Sequence, residues 1–395
     1  MWRSGPALSL SLLVVACTDI KTTDGPGPDA VSSFDATAPT DARATGADAH
    51  APDARVIGDD AASNDAGVTD AALEDASLAD AGPPCVPGPV PPTFAGSGER
   101  PPDLLSETGL FADILTKELA PEIRSFAPQY TLWSDGAVKQ RWVYLPECSV
   151  IDTSDMNHWS IPVGTRLFKE FVRDGKRIET RLVTRFGPLE EDFSYATYVW
   201  TDDESEAVAV TFGLQNARGT NHDVPPLSFC DSCHGRSPEH ALGFAAIQLD
   251  HANSATTLFG LAAEGRLSVP PTSHYVTPGS PEVSTGLGYL HANCGNCHNE
   301  SDRAVVFLRA MSLRLSVDEL EVTDTAVYRT AVNVPVEKFV HPGVTHRVLP
   351  QDVAASAIGW RITVRSVEQM PPIATELVDP AGVATVHAMI ESLPP

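Results

Sequence analysis

The sequence is poor in bases: 27 lysines and arginines stand against 52 aspartates and glutamates, a formal net charge of −25. A surface so acidic repels phosphate backbones, which argues against nucleic acid and is compatible with a basic partner. Long apolar runs are lacking as well. The stretch from Ala7 to Ala16 covers 10 residues, where a bilayer-spanning helix needs about 20. No Ser-His-Asp order, phosphate loop or dinucleotide fingerprint appears, so triad hydrolysis, phosphoryl transfer and nicotinamide chemistry have no signal. Cysteine is scarce too, at seven residues in 395, and each one has to be accounted for.

The N-terminus carries Arg3 ahead of its short apolar run, the pattern of a signal peptide over residues 1–16. Val14-Val15-Ala16-Cys17 resembles the lipobox of bacterial lipoproteins, in which cleavage precedes a cysteine that is then acylated. That resemblance implies lipidation at Cys17 and an envelope protein anchored to a membrane by its lipid chains. Thr18 after the cysteine implies the outer membrane. Residues 17–90 then form a separate composition class. Between 18 and 84 there are 14 acidic and 3 basic residues, a net of −11, and almost no large apolar side chains. Such a segment cannot bury enough apolar surface to offset its chain entropy, so a disordered tether is expected. Its coil dimension would be about 45 Å.

The folded part reads as α+β: a β-rich domain over 91–225 and a helical domain over 226–395. Ser106, Leu110, Phe111, Ile114 and Leu115 are spaced for a helix. From Arg141 the period changes to two. Strands are expected over 141–145, 165–172, 177–186, 193–200 and 207–212, with Asp174-Gly175 as a hairpin turn. Several short strands with turns between them suggest an antiparallel β-sandwich. After Pro226 the expected helices run over 239–249, 256–266, 284–294 and 380–393. Trp133, Trp142, Trp159 and Trp200 are read as packing residues.

The cysteines carry the chemistry. C-x-x-C-H occurs twice, as Cys230-Asp-Ser-Cys233-His234 and Cys294-Gly-Asn-Cys297-His298. Covalent haem c needs two thiols that reach the two vinyl groups of one porphyrin and an imidazole that enters the iron from one face. Two cysteines three apart on a helical turn, followed at once by histidine, meet both needs. A zinc ribbon also uses paired C-x-x-C, but with about 15–20 residues between the pairs; here 60 separate Cys233 from Cys294. A redox C-x-x-C expects a βαβ context, and none surrounds either motif. The expected cofactor is therefore haem c, two per chain and one at minimum. Cys230, Cys233, Cys294 and Cys297 are the attachment sites, and His234 and His298 the iron ligands. Cys85 and Cys148 remain, and in an exported chain such a pair is a candidate disulfide.

Gly286, Leu290 and Cys294 are spaced four apart and share a helix face. This resembles the N-terminal helix of cytochrome c, which meets the C-terminal helix. Glu368-Gln-Met370-Pro-Pro372 resembles the Met-Pro-Pro segment of many c-type cytochrome domains, which implies Met370 as sixth ligand opposite His298. For the first motif His240, His251, His274, His291, Met156 and His158 are candidate distal ligands, and an open site is the alternative. Asp152, Asp155 and His158 are a candidate metal cluster.

Over roughly 95–395 the chain resembles a group of exported bacterial c-type cytochromes with two C-x-x-C-H motifs and a β-rich N-terminal half. The markers are Leu132-Trp-Ser-Asp-Gly136, Ile151-Asp-Thr-Ser-Asp-Met156, His158-Trp-Ser-Ile-Pro-Val-Gly-Thr165 and Gly288-Tyr-Leu-His-Ala-Asn-Cys294. The resemblance implies a separate periplasmic or surface redox partner, of which a quinone-dependent sugar dehydrogenase is one kind. Two functions stay open: an electron carrier between envelope partners, and a haem enzyme of peroxidase or oxidase type with an open distal face at the first haem. A surface lipoprotein that only binds a partner is a third. Whether the chain is an enzyme is left undecided.

Overall fold

The computed structural model describes residues 100–237, 239–301 and 310–395. The chain divides into two units, Met1–Ala76 and Ser77–Pro395, and every described residue belongs to the second. The signal peptide, Cys17, the tether and Cys85 lie outside the described residues. Cys148 is disulfide-bonded; its expected partner is Cys85.

Helix and antiparallel sheet are both present, so the unit is α+β. The first expected helix does not form. A single 3-10 turn, Leu105–Thr108, ends at Gly109, which is left-handed at φ 76°. The chain then makes a short ribbon of β1 (Phe111–Asp113) and β2 (Glu118–Leu119). Asp113 Oδ1 accepts from the Leu115 N–H at 2.8 Å; this local bond competes with helix. Of the apolar residues assigned to a helix face, Leu110 and Phe111 are buried against a sheet, Ile114 packs beside them and Leu115 is exposed.

The main sheet has six antiparallel strands in chain order. They are β3 (Arg124–Ser125), β4 (Val138–Tyr144), β5 (Arg166–Arg173), β6 (Lys176–Arg185), β7 (Phe193–Trp200) and β8 (Ala207–Val210). Asp174 and Gly175 both have positive φ, 51° and 75°, the signature of the tight turn whose twist suits a hairpin. Where a sandwich requires two facing sheets of comparable size, the described residues form one meander and the small β1–β2 ribbon.

Alternation sends the strands' side chains to two cores. Trp142, Phe168, Leu182, Ala196 and Tyr198 pack on one face with Leu105, Leu110 and Phe111. Val143, Leu167 and Val183 pack on the other with Ala241, Phe244, Leu249, Leu258, Leu261 and Leu267. The chain therefore crosses the expected boundary at 225/226 without leaving this core. Trp142, Trp159 and Trp200 are all buried.

The helical part comprises α1 (Cys230–Cys233), α2 (Ala246–Leu249), α3 (Leu258–Ala263), α4 (Pro281–Asn293), α5 (Ala326–Ala331), α6 (Ala357–Arg361) and α7 (Pro380–Ser392). The helix expected over 239–249 is reduced to its last turn. Its first half holds His240 at φ 55° and Gly243 at φ 85°, conformations no right-handed helix admits. Helix α4 starts where Ser280 accepts from the Val283 N–H and Pro281 takes the first turn, a favoured N-terminus.

Helices α4 and α7 cross at glycines. A Cβ on Gly286 would stand 2.3 Å from Met389 Cβ, and one on Gly382 would stand 2.2 Å from the Tyr289 hydroxyl. Val283, Leu287, Leu290, Val386, Met389 and Ile390 close a buried core around this crossing. The cysteine that opens the second motif, Cys294, is the residue that caps α4. Gly286→Val should therefore destabilise the protein by about 1–3 kcal/mol through overpacking, seen as a lowered thermal midpoint by circular dichroism. Thr285→Ala, on the exposed side of the same helix, is the matched control; equal midpoints for the two variants would mean that the crossing tolerates a side chain.

Candidate functional site

Both C-x-x-C-H segments close one helical turn in the same way. The His234 N–H donates to the Cys230 carbonyl at 2.9 Å, and the His298 N–H donates to the Cys294 carbonyl at 2.9 Å. Each turn brings its two thiols and its histidine to one side, as spacing of three and four requires. All four thiols are free and half-buried.

The fold brings the two motifs together across the 60 residues that separate them. Cys297 Sγ lies 3.9 Å from the Ser232 carbonyl. Cys233 and Cys297 lie close enough to act on each other's charge, which pushes the Cys233 pKa down and the Cys297 pKa up. Burial pushes the Cys294 thiol up to about 12 and raises Cys230 as well. The convergence stops short of a cation cage. Among the described residues no group of three or more His, Cys, Asp or Glu is gathered to hold a metal ion. A four-thiolate zinc site, which needs all its donors at one point, is not formed, and neither is the Asp152, Asp155 and His158 cluster. His158 pairs with Asp155 at 2.8 Å, while Asp152 accepts from the Ser154 N–H at 3.0 Å and from Ser268 Oγ at 3.2 Å.

His234 is set up as a nitrogen donor. Its Nδ1 faces the His240 carbonyl at 2.6 Å, and desolvation drives its pKa down to about 4. The ring is therefore neutral near pH ~7, with the proton on Nδ1 and the lone pair on Nε2. A backbone carbonyl that takes the Nδ1 proton is the usual support behind a ligating imidazole. Tyr195 lies against the ring, with centroids 5.3 Å apart.

The second motif is stitched to the loop that carries Met370. Asn293, the last residue of α4, accepts from the Trp133 N–H at 2.7 Å and donates to the Thr131 carbonyl at 3.1 Å. Trp133 Nε1 donates to the Leu377 carbonyl at 3.1 Å. Asp135, almost wholly buried, accepts from the backbone N–H groups of Glu376 and Leu377 at 2.8 Å each. Within the loop, Gln369 Nε2 donates to the Pro371 and Thr375 carbonyls, and the Met370 N–H donates to the Arg361 carbonyl at 3.1 Å. The Leu132–Gly136 segment is thus the clasp between Asn293 and the segment that follows Met370. Reading Trp133 as packing missed this. The buried acid beside a tryptophan was the available signal, but its partners lie 241 and 242 residues away.

The remaining histidines are engaged. His251 Nε2 donates to the Ala127 carbonyl at 2.8 Å, and its Nδ1 accepts from the Asn253 N–H at 3.2 Å. His274 Nδ1 pairs with Asp250 at 2.6 Å. His240 stacks on Phe193 with centroids 4.2 Å apart, and Met156 packs against the core beneath the sheet. His291 Nδ1 accepts from the Leu315 N–H at 3.0 Å. In the neutral ring the proton is then on Nε2, which has no lone pair to offer iron, and this removes the physical basis for His291 as a distal ligand.

A row of cations faces the motifs from the sheet. Arg141 lies directly opposite Lys169, and Lys169 opposite Arg181, on adjacent strands. Lys139 is two residues along from Arg141 on the same face. Arg181 pairs with Glu179, which His222 also contacts at 2.7 Å. Burial drives the Lys139 pKa down to about 8 and that of Arg141 down to about 10; Lys169 falls well below its ordinary value for the same reason, with the neighbouring cations adding to the shift.

No family model, no curated protein and no solved structure matches the chain.

His291 makes a pH dependence. Burial holds its pKa at about 4 in the folded chain, while the unfolded side chain takes a proton near ~6.5. The unfolded state binds more protons in between, so this contribution to stability is complete above pH ~6.5 and declines as the pH falls toward ~4. Denaturant unfolding across that window should show a shallower decline for His291→Gln than for the parent. Parallel curves would mean that His291 titrates alike in both states.

Proposed function

We propose that the protein is a dihaem c-type cytochrome that carries electrons between redox partners in the cell envelope, held there by a lipid on Cys17. The carrying observation is the meeting of two C-x-x-C-H turns: Cys297 of the second lies against Ser232 of the first, and His234 holds its Nδ1 against a backbone carbonyl, which leaves Nε2 as the donor a haem iron would need. The residues fit haem c better than zinc, because each thiol pair is followed directly by a histidine and among the described residues no three donors are gathered around one point. Cys230 and Cys233 would hold one porphyrin by thioether bonds, with His234 on the iron; Cys294 and Cys297 would hold the other, with His298. Bound haem would supply a reversible one-electron iron couple. The chain's own residues hold the His234 imidazole in place, half-bury the attachment sites and would bring the two haem centres side by side.

Met370 is the proposed sixth ligand opposite His298. The clasp from Asn293 through Trp133 and Asp135 supports this, since it ties the loop after Met370 to the helix that ends at Cys294. A thioether ligand favours ferrous iron and raises the potential. The helix crossing at Gly286 and Gly382 supports the cytochrome c-like reading of this part. A basic redox protein, including a quinone-dependent sugar dehydrogenase, suits the acidic chain as partner.

A pyridine haemochrome assay on protein matured in a host with cytochrome c assembly machinery should count two haems per chain. Colourless protein, or protein loaded with zinc, would remove the electron-transfer reading altogether. Met370→Ala should abolish the sulfur-to-iron charge-transfer band of the oxidised protein in the near-infrared. Persistence of that band would assign the sixth position to another residue.

A further inference from the structure

Arg141, Lys169 and Arg181 stand directly opposite one another on three neighbouring strands. Like charges in directly opposed positions destabilise a sheet, and burial makes each harder to hold. Glu179 neutralises Arg181. Among the described residues no salt bridge reaches Lys139, Arg141 or Lys169, although Arg141 is only 7% exposed. Their compensation is partial: Phe171 lies under Lys139, Lys169 and Arg181 at 5.9, 5.0 and 4.5 Å from the ring centroid. Such contacts offset part of a cation's cost and leave its charge in place.

The row opens into a cleft whose wall brings in the second motif. Arg141 and Lys169 line it from the sheet, Glu239 and Arg314 from the loops, and His291 and Asn296 from the end of α4 and the C-x-x-C turn. Glu239 is taken by Arg314 and Ser237. The His291 Nδ1 already accepts from backbone, so its Nε2–H is a further donor. The cleft therefore gathers cationic and neutral donors, and its one carboxylate is spoken for.

We propose that this cleft is a carboxylate seat, and that Arg141 and Lys169, with the His291 Nε2–H, receive the propionates of a haem held at the paired motifs. The inference rests on the haem reading above. A haem propionate is the anion that necessarily arrives with the cofactor, and a guanidinium matches a carboxylate fork to fork. The row then ceases to be a defect of the sheet and becomes half of an ion-pair network that the cofactor completes. Cations at the propionates also oppose the gain of positive charge when iron is oxidised, so the seat raises the potential of that haem.

The test is redox potentiometry of the haem-loaded protein. Arg141→Gln and Lys169→Gln should each shift the ferrous-to-ferric equilibrium of one haem about tenfold toward ferric, ~59 mV lower for a one-electron couple. Lys169→Arg should restore the parent value. Arg177→Gln should change nothing, because Arg177 sits with Glu170 and Glu204 on the opposite face of the sheet. Unchanged potentials in Arg141→Gln and Lys169→Gln, with two haems present, would overturn the seat and leave the cytochrome reading standing; a parent without haem would overturn both. The parent alone gives a second measurement if the variants fail to fold. Carbodiimide with an amine should leave the propionates of one haem unmodified in the native protein and amidate them after unfolding, as mass spectrometry of the haem peptides would read. Equal labelling of both haems before and after unfolding would mean that the propionates face solvent. Binding of free sulfate or a dicarboxylate to the fully loaded protein at this cleft would likewise overturn the assignment, since the seat would then be vacant for a soluble anion.

Discussion

The contact between α4 and α7 at Gly286 and Gly382 is the constraint on which the placement of the second motif depends. Two helices approach this closely only where one partner offers no side chain, and here each helix supplies one glycine and one large residue, Met389 or Tyr289. The reciprocal fit fixes both the rotation and the height of α4. Cys294 caps that helix, so the thiol pair inherits its position from the crossing. Tyr289 adds a polar tie to Asp379 at 3.2 Å, just before α7 begins. Burying this crossing among Val283, Leu290, Val386 and Ile390 gives the hydrophobic stabilisation that a helix of 13 residues lacks by itself.

The first motif is positioned by different means. Its helix is a single turn, too short to orient itself, and the sheet does the work. Tyr195 lies against His234, and the His240 carbonyl holds Nδ1 from behind. His240 is held in turn by stacking on Phe193. The one histidine thus serves the other through its backbone, and its left-handed conformation aims the carbonyl. The two motifs meet because the core under the sheet takes in residues 241–267, which carries the chain from one to the other.

Charge is arranged against the grain of the composition. The whole chain is strongly acidic, yet the face of the sheet nearest the thiols is a line of cations. A half-buried row of like charges costs folding energy. Its position beside thiols and imidazoles connects the electrostatics of the sheet to those of the motifs.

The sequence by itself determined the strands and the turns that carry the thiols. Period-two alternation located β4 to β8 to within a few residues, Asp174-Gly175 marked its hairpin, and the helix expected over 284–294 matches the end of α4 but misses its start at Pro281 by three residues. These signals are local, and local chemistry suffices for them. The helix expected around Leu110 became a turn and a ribbon because the Asp113 side chain satisfies backbone groups and the apolar residues find a sheet to cover. The helix expected from 239 shrank because His240 and Gly243 take left-handed conformations that serve His234 and the cleft. Only the tertiary structure decided that Cys233 meets Cys297, that Asp135 holds the segment after Met370, and that Arg141, Lys169 and Arg181 stand in one row. Each of these joins residues far apart in the chain or sets the register between strands, and neither is written in the spacing of neighbours: both follow from which buried faces fit together.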